Sequence, residues 1–412
     1  MSSDDKGQAI RTYDRDLPQT ETYDSEIFKP ELHLADIKRL DAPPVLSRLV
    51  KDAGIKFNGS HPWDVQIHNE VTYRRILAKG SLGLGEAYMD GQWDAVSLDE
   101  LFTRLMNFDI DQKVHGWAKF RLLFEMFRHK LFNLQTSKRA FQVAKQHYDI
   151  GNDVFEAMLD STMSYSCAYW ENAQTLEQAQ LNKLDMICRK LDLQPGERLL
   201  EIGCGWGGLA HHAAMNYDIE VVGITISKEQ QHFARRRCID LPVKIELIDY
   251  RDLNGEFDKI VSVGMFEHVG PKNYSTYFDQ VFRLLKPDGL FLLHTIGNYC
   301  ATKTVDPWID KYIFPNGKLP SAKEITSIIE KKFLIEDWHN FGQDYDRTLM
   351  AWMQNFEQAW PELKNKYDQR FYRMWKYYLL SCAGFFRSRQ GQLWQIMMSK
   401  RERSKIYRSV RY

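Results

Sequence analysis

Leu199-Leu200-Glu201-Ile202-Gly203-Cys204-Gly205-Trp206-Gly207-Gly208 begins as an apolar run, breaks into alternating glycines and passes into a helical pattern. It reads as a buried strand turning directly into a helix. Glycines at Gly203, Gly205 and Gly207 remove the Cβ atoms that would keep a ligand off the backbone, and the helix beyond them starts with unpaired N–H groups. A nucleotide-like ligand is expected here. The dinucleotide fingerprint G-x-G-x-x-G would place a glycine where Gly208 stands, so the glycines alone do not separate two cofactor classes. The acid just ahead of them does. Glu201 suits the amino group of a zwitterionic amino-acid tail and would repel a pyrophosphate, which favours S-adenosylmethionine over NAD.

Outward from this stretch, strands and helices alternate. Arg198–Ile202, Glu220–Ile226, Val243–Leu247, Lys259–Val263 and Gly289–Ile296 read as strands, with helical patterns after the first two and again at Tyr274–Leu285. Lys286-Pro287-Asp288-Gly289 reads as a turn into the fifth strand. Such alternation implies an α/β fold with a doubly wound, mostly parallel sheet, whose ligands sit beyond the carboxyl ends of the strands. Upstream, residues 31–131 read as a smaller N-terminal α+β domain, with Val65-Gln66-Ile67 as a short strand and Gly80-Ser81-Leu82-Gly83-Leu84-Gly85 as a glycine-rich bend. Residues 1–30 read as a disordered tail, 132–149 as a linker and 150–412 as the catalytic domain, with an aromatic helical cap at 346–390.

The 412 residues are 44% hydrophobic and 27% charged, the composition of a globular protein, with no apolar run of membrane-spanning length. Met1-Ser2-Ser3-Asp4-Asp5-Lys6 has neither a basic start nor an apolar core, so a cleaved secretion signal is not expected and the cytoplasm is. Six scattered cysteines fit reduced thiols, and no structural metal is expected. Basic and acidic residues balance at 55 each, which gives no reason to expect nucleic acid. Two features leave alternatives open. The basic clusters Arg235-Arg236-Arg237 and Lys400 to Arg411 are either solvated surface or a patch for an anionic membrane. The stripe Trp117, Phe120, Phe124, Phe127 and Leu131, flanked by Lys119, Arg121, Arg128 and Lys130, packs on the protein's own core, rests on a membrane or seals a dimer.

The strand ends carry the chemistry. After the second strand Thr225 stands where many S-adenosylmethionine enzymes have an acid for the ribose, and Gln230, one turn into the next helix, can supply the missing donor and acceptor. After the third, Asp249 is placed to accept the adenine amino group and Tyr250 to stack on the ring, although a solvated loop with a packed tyrosine explains the same residues. After the fourth, Glu267 lies in an apolar sequence, where a carboxylate is either paired or functional. His294 ends the fifth strand; alone it reads as a core histidine, but beside Glu267 it reads as part of a site. Tyr165-Ser166-Cys167-Ala168-Tyr169-Trp170 is expected to line the cavity from the linker side.

These blocks, together with His147-Tyr148-Asp149-Ile150-Gly151-Asn152-Asp153, Met265-Phe266-Glu267-His268-Val269-Gly270, Trp308-Ile309-Asp310-Lys311-Tyr312-Ile313-Phe314-Pro315 and Trp338-His339-Asn340-Phe341-Gly342, resemble cyclopropane-fatty-acyl-phospholipid synthases. The resemblance runs from Gly80 to about Cys382 and extends less distinctly into the N-terminal domain. It implies a seven-stranded class I methyltransferase sheet and an enzyme adding a methylene from S-adenosylmethionine across the double bond of an unsaturated phospholipid acyl chain. It implies a bicarbonate ion held by the side chain or backbone of Cys167, by Glu267, His294, the backbone amide of Ile296 and Tyr345, with cofactor contacts at Tyr165, Ser166, Gly203, Gly205, Thr225, Gln230, Asp249 and Tyr250. Cys382 is similar to a cysteine once considered a nucleophile. A homodimer, peripheral on the inner face of the cytoplasmic membrane, is also implied. The rival readings are methylation of a fatty chain or a small amine without ring closure, and a catalytically silent lipid-binding or cofactor-sensing module.

Overall fold

The computed structural model describes residues 41–108, 151–302 and 305–411, and these belong to one compact unit. The expected tail at 1–30, the aromatic stripe at 117–131 and the linker at 132–149 lie outside the described residues. Elements are numbered below among the described residues.

Helices α1 (Pro44–Lys51), α2 (Val71–Lys79), α3 (Ser81–Met89) and α4 (Leu98–Asn107) accompany a two-stranded antiparallel sheet of β1 (Gln66–Ile67) and β2 (Trp93–Asp94), whose strands are joined through α2 and α3. The expected glycine-rich bend at 80–85 is a correction: only Gly80 breaks the chain, with φ +58°, and the rest is the first half of α3. Glycine is there for closeness rather than for turning. A Cβ on Gly83 would stand 2.0 Å from the Arg75 carbonyl oxygen, and one on Gly85 would stand 2.3 Å from the Trp308 ring.

Helices α5 (Asn152–Met158) and α6 (Leu176–Lys190) lead into the sheet; Thr175 caps α6 by accepting from the Gln178 amide. Then come β3 (Arg198–Ile202), α7 (Gly208–Tyr217), β4 (Glu220–Thr225), α8 (Lys228–Arg237), β5 (Val243–Leu247), β6 (Phe257–Val263), α9 (Tyr274–Leu284) and β7 (Leu285–Asn298). After α10 (Pro307–Tyr312) and α11 (Ala322–Ile329), β8 (Leu334–Asn340) and β9 (Gly391–Ser399) flank the long helices α12 (Gln343–Leu363) and α13 (Gln369–Arg387). The sheet order is β5-β4-β3-β6-β7-β9-β8, parallel from β5 to β7, with β9 antiparallel to both its neighbours. The doubly wound, mostly parallel, seven-stranded expectation is met. The turn expected at Lys286–Gly289 lies inside β7 instead, where the β6 register jumps from Phe257↔Leu285 to Lys259↔Leu290 and leaves the proline in a bulge.

Two cores fill the faces of the sheet, one around Leu200, Phe278 and Phe291 and one around Ile187, Ala213 and Leu292. A third is continuous from the N-terminal helices through α5 to the aromatic cap of α12 and α13. Gly384 lets α13 approach α4, since a Cβ there would meet the Asp99 carbonyl at 2.8 Å. Arg387 reinforces that contact by bridging Asp99 and Asp346.

Glu86 ties the N-terminal helices to α10. Its carboxylate is buried and accepts from Lys311 at 2.7 Å, Lys79 at 3.0 Å and the Tyr312 hydroxyl at 3.1 Å. Burial alone would raise its pKa, but these donors outweigh burial and hold it at about 2. Because the folded value lies below the ordinary 4.5, the stabilisation is complete above about 4.5 and is lost as pH falls through about 2. With both lysines half-exposed, Glu86→Gln is expected to cost about 1–2 kcal/mol at neutral pH. Urea melts at a series of pH values should show that deficit shrinking toward pH 2.

Candidate active site

The cofactor loop follows β3 with Gly203, Gly205 and Gly207 at φ +83°, +52° and +81°. The three serve different ends. Gly205 has open space where a Cβ would stand, so it exposes backbone to a ligand. A Cβ on Gly203 would press on Met265 at 2.9 Å, and one on Gly207 on Ala234 of α8 at 2.9 Å. Gly203 and Gly205 line the cavity described below, whereas the face of Gly207 that would carry a Cβ packs against α8.

Glu201, at the inner end of β3, is buried with its Oε2 atom unpartnered in the protein. Burial pushes its pKa up to about 8, opposed by Lys183 and by the Ala210 amide of α7. Past β4, Thr225 Oγ1 lies 2.9 Å from Gln230 Oε1, and the Ser227 amide donates to Thr225 at 3.1 Å, so the expected pair forms one unit. Past β5, Asp249 is buried and gripped by Arg251, whose Nε and terminal nitrogen donate to its two oxygens at 2.7 Å each. An adenine amino group would share that carboxylate with Arg251. Tyr250 lines the same cavity, edge-on to Tyr277.

The stretch Tyr165 to Trp170 is held from both sides. From α6, Gln180 donates to the Ser164 and Ser166 carbonyls at 3.2 and 3.0 Å, and Lys183 donates to Ser166 Oγ at 3.0 Å. From the cap, Thr348 accepts from the Ala168 amide at 3.1 Å, and the Tyr165 and Tyr378 hydroxyls meet at 2.7 Å. Tyr165 and Ser166 reach the cavity wall. Cys167 does not: its thiol is sealed beneath, 3.2 Å from the Ala168 carbonyl, and burial raises its pKa.

Glu267 lies in a 3₁₀ turn just past β6, 6% exposed. Its Oε1 accepts from the Ile296 amide at 2.6 Å, while Oε2 has no hydrogen-bond partner in the protein. Burial pushes the carboxyl up to about 7, against the pull of the Ile296 and Glu267 amides and the Thr295 hydroxyl. His294 on β7 is 1% exposed, with Nδ1 3.2 Å from Gln395 Nε2 and Nε2 unpartnered. Burial, with Lys183 and Lys190 adding to it, holds this imidazole neutral. Tyr345 stacks on Phe386 at 4.4 Å. Glu267, His294, Ile296 and Tyr345 therefore converge on one wall system, with Cys167 behind it. The Ile296 amide, expected to meet the anion directly, is engaged by Glu267.

That cavity measures about 2020 Å³. Ordinary small-molecule pockets occupy roughly 300–1,000 Å³, so it exceeds the needs of a nucleoside. It continues past Glu267 to apolar walls from Leu46, Val50, Leu101 and Phe102 of the N-terminal helices and Tyr377 and Phe385 of the cap. The basic clusters are partly engaged internally. Arg235 donates to the Ile245 carbonyl and Arg237 to Ser161 and Thr162, while Arg403 and Arg411 fold back onto Asp288 and Asp337.

Sequence reasoning missed Gln180, Lys183, Lys190 and Gln395. The first three share one buried face of α6 at spacings of three and seven, a polar row on an otherwise apolar stripe. That row is the signal which would have exposed them. Gln395 offers none, because β9 reads as an ordinary apolar strand.

A parallel sheet with this strand order and a glycine loop after its central β3 is the fold of class I S-adenosylmethionine-dependent methyltransferases. The sequence profile of the mycolic acid cyclopropane synthetase family matches residues 135–396, and the chain belongs to that family. It is 56% identical over 356 residues to the cyclopropane-fatty-acyl-phospholipid synthase of Escherichia coli K12, an alignment spanning 86% of this chain and 93% of that one. Among solved structures, the cyclopropane synthase MmaA2 from Mycobacterium tuberculosis superposes with a TM-score of 0.61 at 31% identity, over 65% of this chain and all of that one. The mycolic acid cyclopropane synthase CmaA1, complexed with SAH and CTAB, gives 0.59 at 32% identity, over 63% and 98%.

Cys382 lines the cavity, but burial and Asp306 push its thiol up to about 12, so thiolate is negligible at neutral pH. Cys382→Ser is expected to keep turnover within about threefold of the parent, measured by transfer of labelled methyl. A loss on the order of a hundredfold would make the thiol a participant.

Proposed function

We propose that this chain transfers a methylene from S-adenosylmethionine to the cis double bond of unsaturated acyl chains in membrane phospholipids, giving cyclopropane acyl chains. The carrying observation is that one cavity contains the glycine loop suited to the methyl donor, an apolar extension suited to an acyl tail, and the buried pair Glu267 and His294. Similarity to the Escherichia coli synthase supports the same reading.

An alkene is a weak nucleophile, so the protein's first contribution is orientation, holding the sulfonium methyl in line with the π electrons. Methyl transfer leaves a carbocation, which water would trap as an alcohol. The aromatic walls exclude water, and their faces stabilise positive charge by about 0.5–2 kcal/mol per contact. A proton must then leave the new methyl group for the ring to close. Bicarbonate, when bound, supplies a base small enough to reach that methyl. The residues present fit it: Glu267 Oε2 and His294 Nε2 are buried polar atoms without protein partners on the wall of the same cavity. A neutral imidazole offers a hydrogen bond to an oxyanion without a competing charge, and a carboxyl that titrates at about 7 can donate or accept. Among the described residues no helix is long and apolar enough to cross a membrane. Acyl tails inside a bilayer are reached by docking on its surface, which in this proposal is the inner face of the cytoplasmic membrane, with the protein as a homodimer.

Vesicles of cis-unsaturated phospholipid with methyl-labelled S-adenosylmethionine should yield labelled acyl chains that resist hydrogenation. Depleting bicarbonate should slow the reaction and adding it back should restore the rate; an unchanged rate would assign the base to Glu267 itself. Glu267→Gln and His294→Ala should each lower kcat by about 10²–10⁴-fold.

A further inference from the structure

Behind His294, away from the cavity, three side chains stand in a row across three strands. Gln395 on β9 is in register with His294 on β7 and with His339 on β8. Lys190, the last residue of α6, reaches into this row and is fully buried, as are Gln395 and His294. Its Nζ lies 2.8 Å from Gln395 Oε1 and 2.9 Å from His339 Nδ1. Gln395 Nε2 in turn lies 3.2 Å from His294 Nδ1.

We infer that Lys190 and Gln395 are positioning residues that lock His294 as the Nε2–H tautomer, and so make it a hydrogen-bond donor into the cavity. The logic follows donors and acceptors alone. Burial lowers the Lys190 pKa to about 7, against the pull of Asp337; in its ammonium form Lys190 has hydrogens and no lone pair, and the Gln395 atom facing it is the carbonyl oxygen. The amide NH₂ of Gln395 therefore faces His294, and it donates. His294 Nδ1 must accept, which puts the ring proton on Nε2, the nitrogen with no protein partner. His339 closes the other end: burial, with Lys190 beside it, keeps its ring neutral, so its Nδ1 is free to accept from Lys190. While Lys190 carries its proton, flipping the Gln395 amide would set NH₂ against the ammonium between two fully buried side chains, so the protonated form selects this orientation.

This inference rests on the proposed anion site, because a donor at Nε2 matters only if an oxyanion is bound there. The direct test is long-range ¹H–¹⁵N spectroscopy of protein labelled with ¹⁵N-histidine, with His294 assigned by its absence from His294→Asn protein. The wild-type ring should show a protonated Nε2 and an unprotonated Nδ1. Gln395→Glu replaces the facing donor by an acceptor paired with Lys190, and should move the proton to Nδ1. It should lower kcat by about 10–100-fold, with KM for S-adenosylmethionine within about threefold. Lys190→Met should broaden the ring into mixed tautomers, and Lys190→Arg, which keeps the donor, should restore the Nε2–H form. A wild-type ring protonated at Nδ1 or at both nitrogens overturns the relay without any variant, as does a Gln395→Glu protein that keeps Nε2–H. Failure of the phospholipid reaction is a separate result: a locked Nε2–H ring in a protein that does not methylate vesicles would leave the relay standing and remove the proposed substrate.

Discussion

Parallel pairing of β6 with β7 places Val263 opposite His294, and the site depends on that register. Four residues beyond Val263 the chain presents Glu267; two beyond His294 it presents the Ile296 amide that Glu267 accepts at 2.6 Å. A slip of one residue would turn His294 to the opposite face of the sheet and remove it from the Glu267 wall. The bulge at Lys286–Gly289 absorbs the extra chain before this pairing begins, so the register at the functional end is set by the apolar residues Leu290 to Leu293. Burying Glu267 there carries a desolvation cost of several kcal/mol if it is ionised, and the carboxyl answers by titrating near neutrality.

The other described elements set apolar and aromatic side chains around that end of the sheet. Helices α12 and α13 lay aromatic rings over it, with Tyr345 stacked on Phe386 and Tyr378 hydroxyl-bonded to Tyr165. The N-terminal helices complete the enclosure through close approaches that glycine alone permits, Gly384 to α4 and Gly85 to Trp308. Glu86 fastens the same contact electrostatically. A wall of this kind suits the carbocation of the proposed reaction in two ways, by excluding water and by offering ring faces.

Much of this was legible in the chain before its fold was described. The alternation of apolar and helical stretches announced a parallel sheet, and the Glu267 and His294 pair was visible as polar residues inside apolar strand ends. Local chemistry misled where a residue had two uses. Gly80 to Gly85 has the composition of a bend, yet helix packing against Arg75 and Trp308 demands small residues at the same places.

The sequence by itself determined where the strands end and which polar residues stand at those ends, because strand periodicity and glycine placement are local properties of the chain. It also determined the kind of methyl donor, through Glu201 and the loop that follows. Only the tertiary structure decided how those groups are tuned. Lys190, Gln395 and His339 come from α6, β9 and β8: antiparallel pairing sets Gln395 beside His294, 101 residues earlier, and beside His339, while the packing of α6 on the sheet brings in Lys190. Burial, too, is a property of the assembled fold: it raises Glu267, holds His294 neutral and silences Cys382, since only packing removes water from around them.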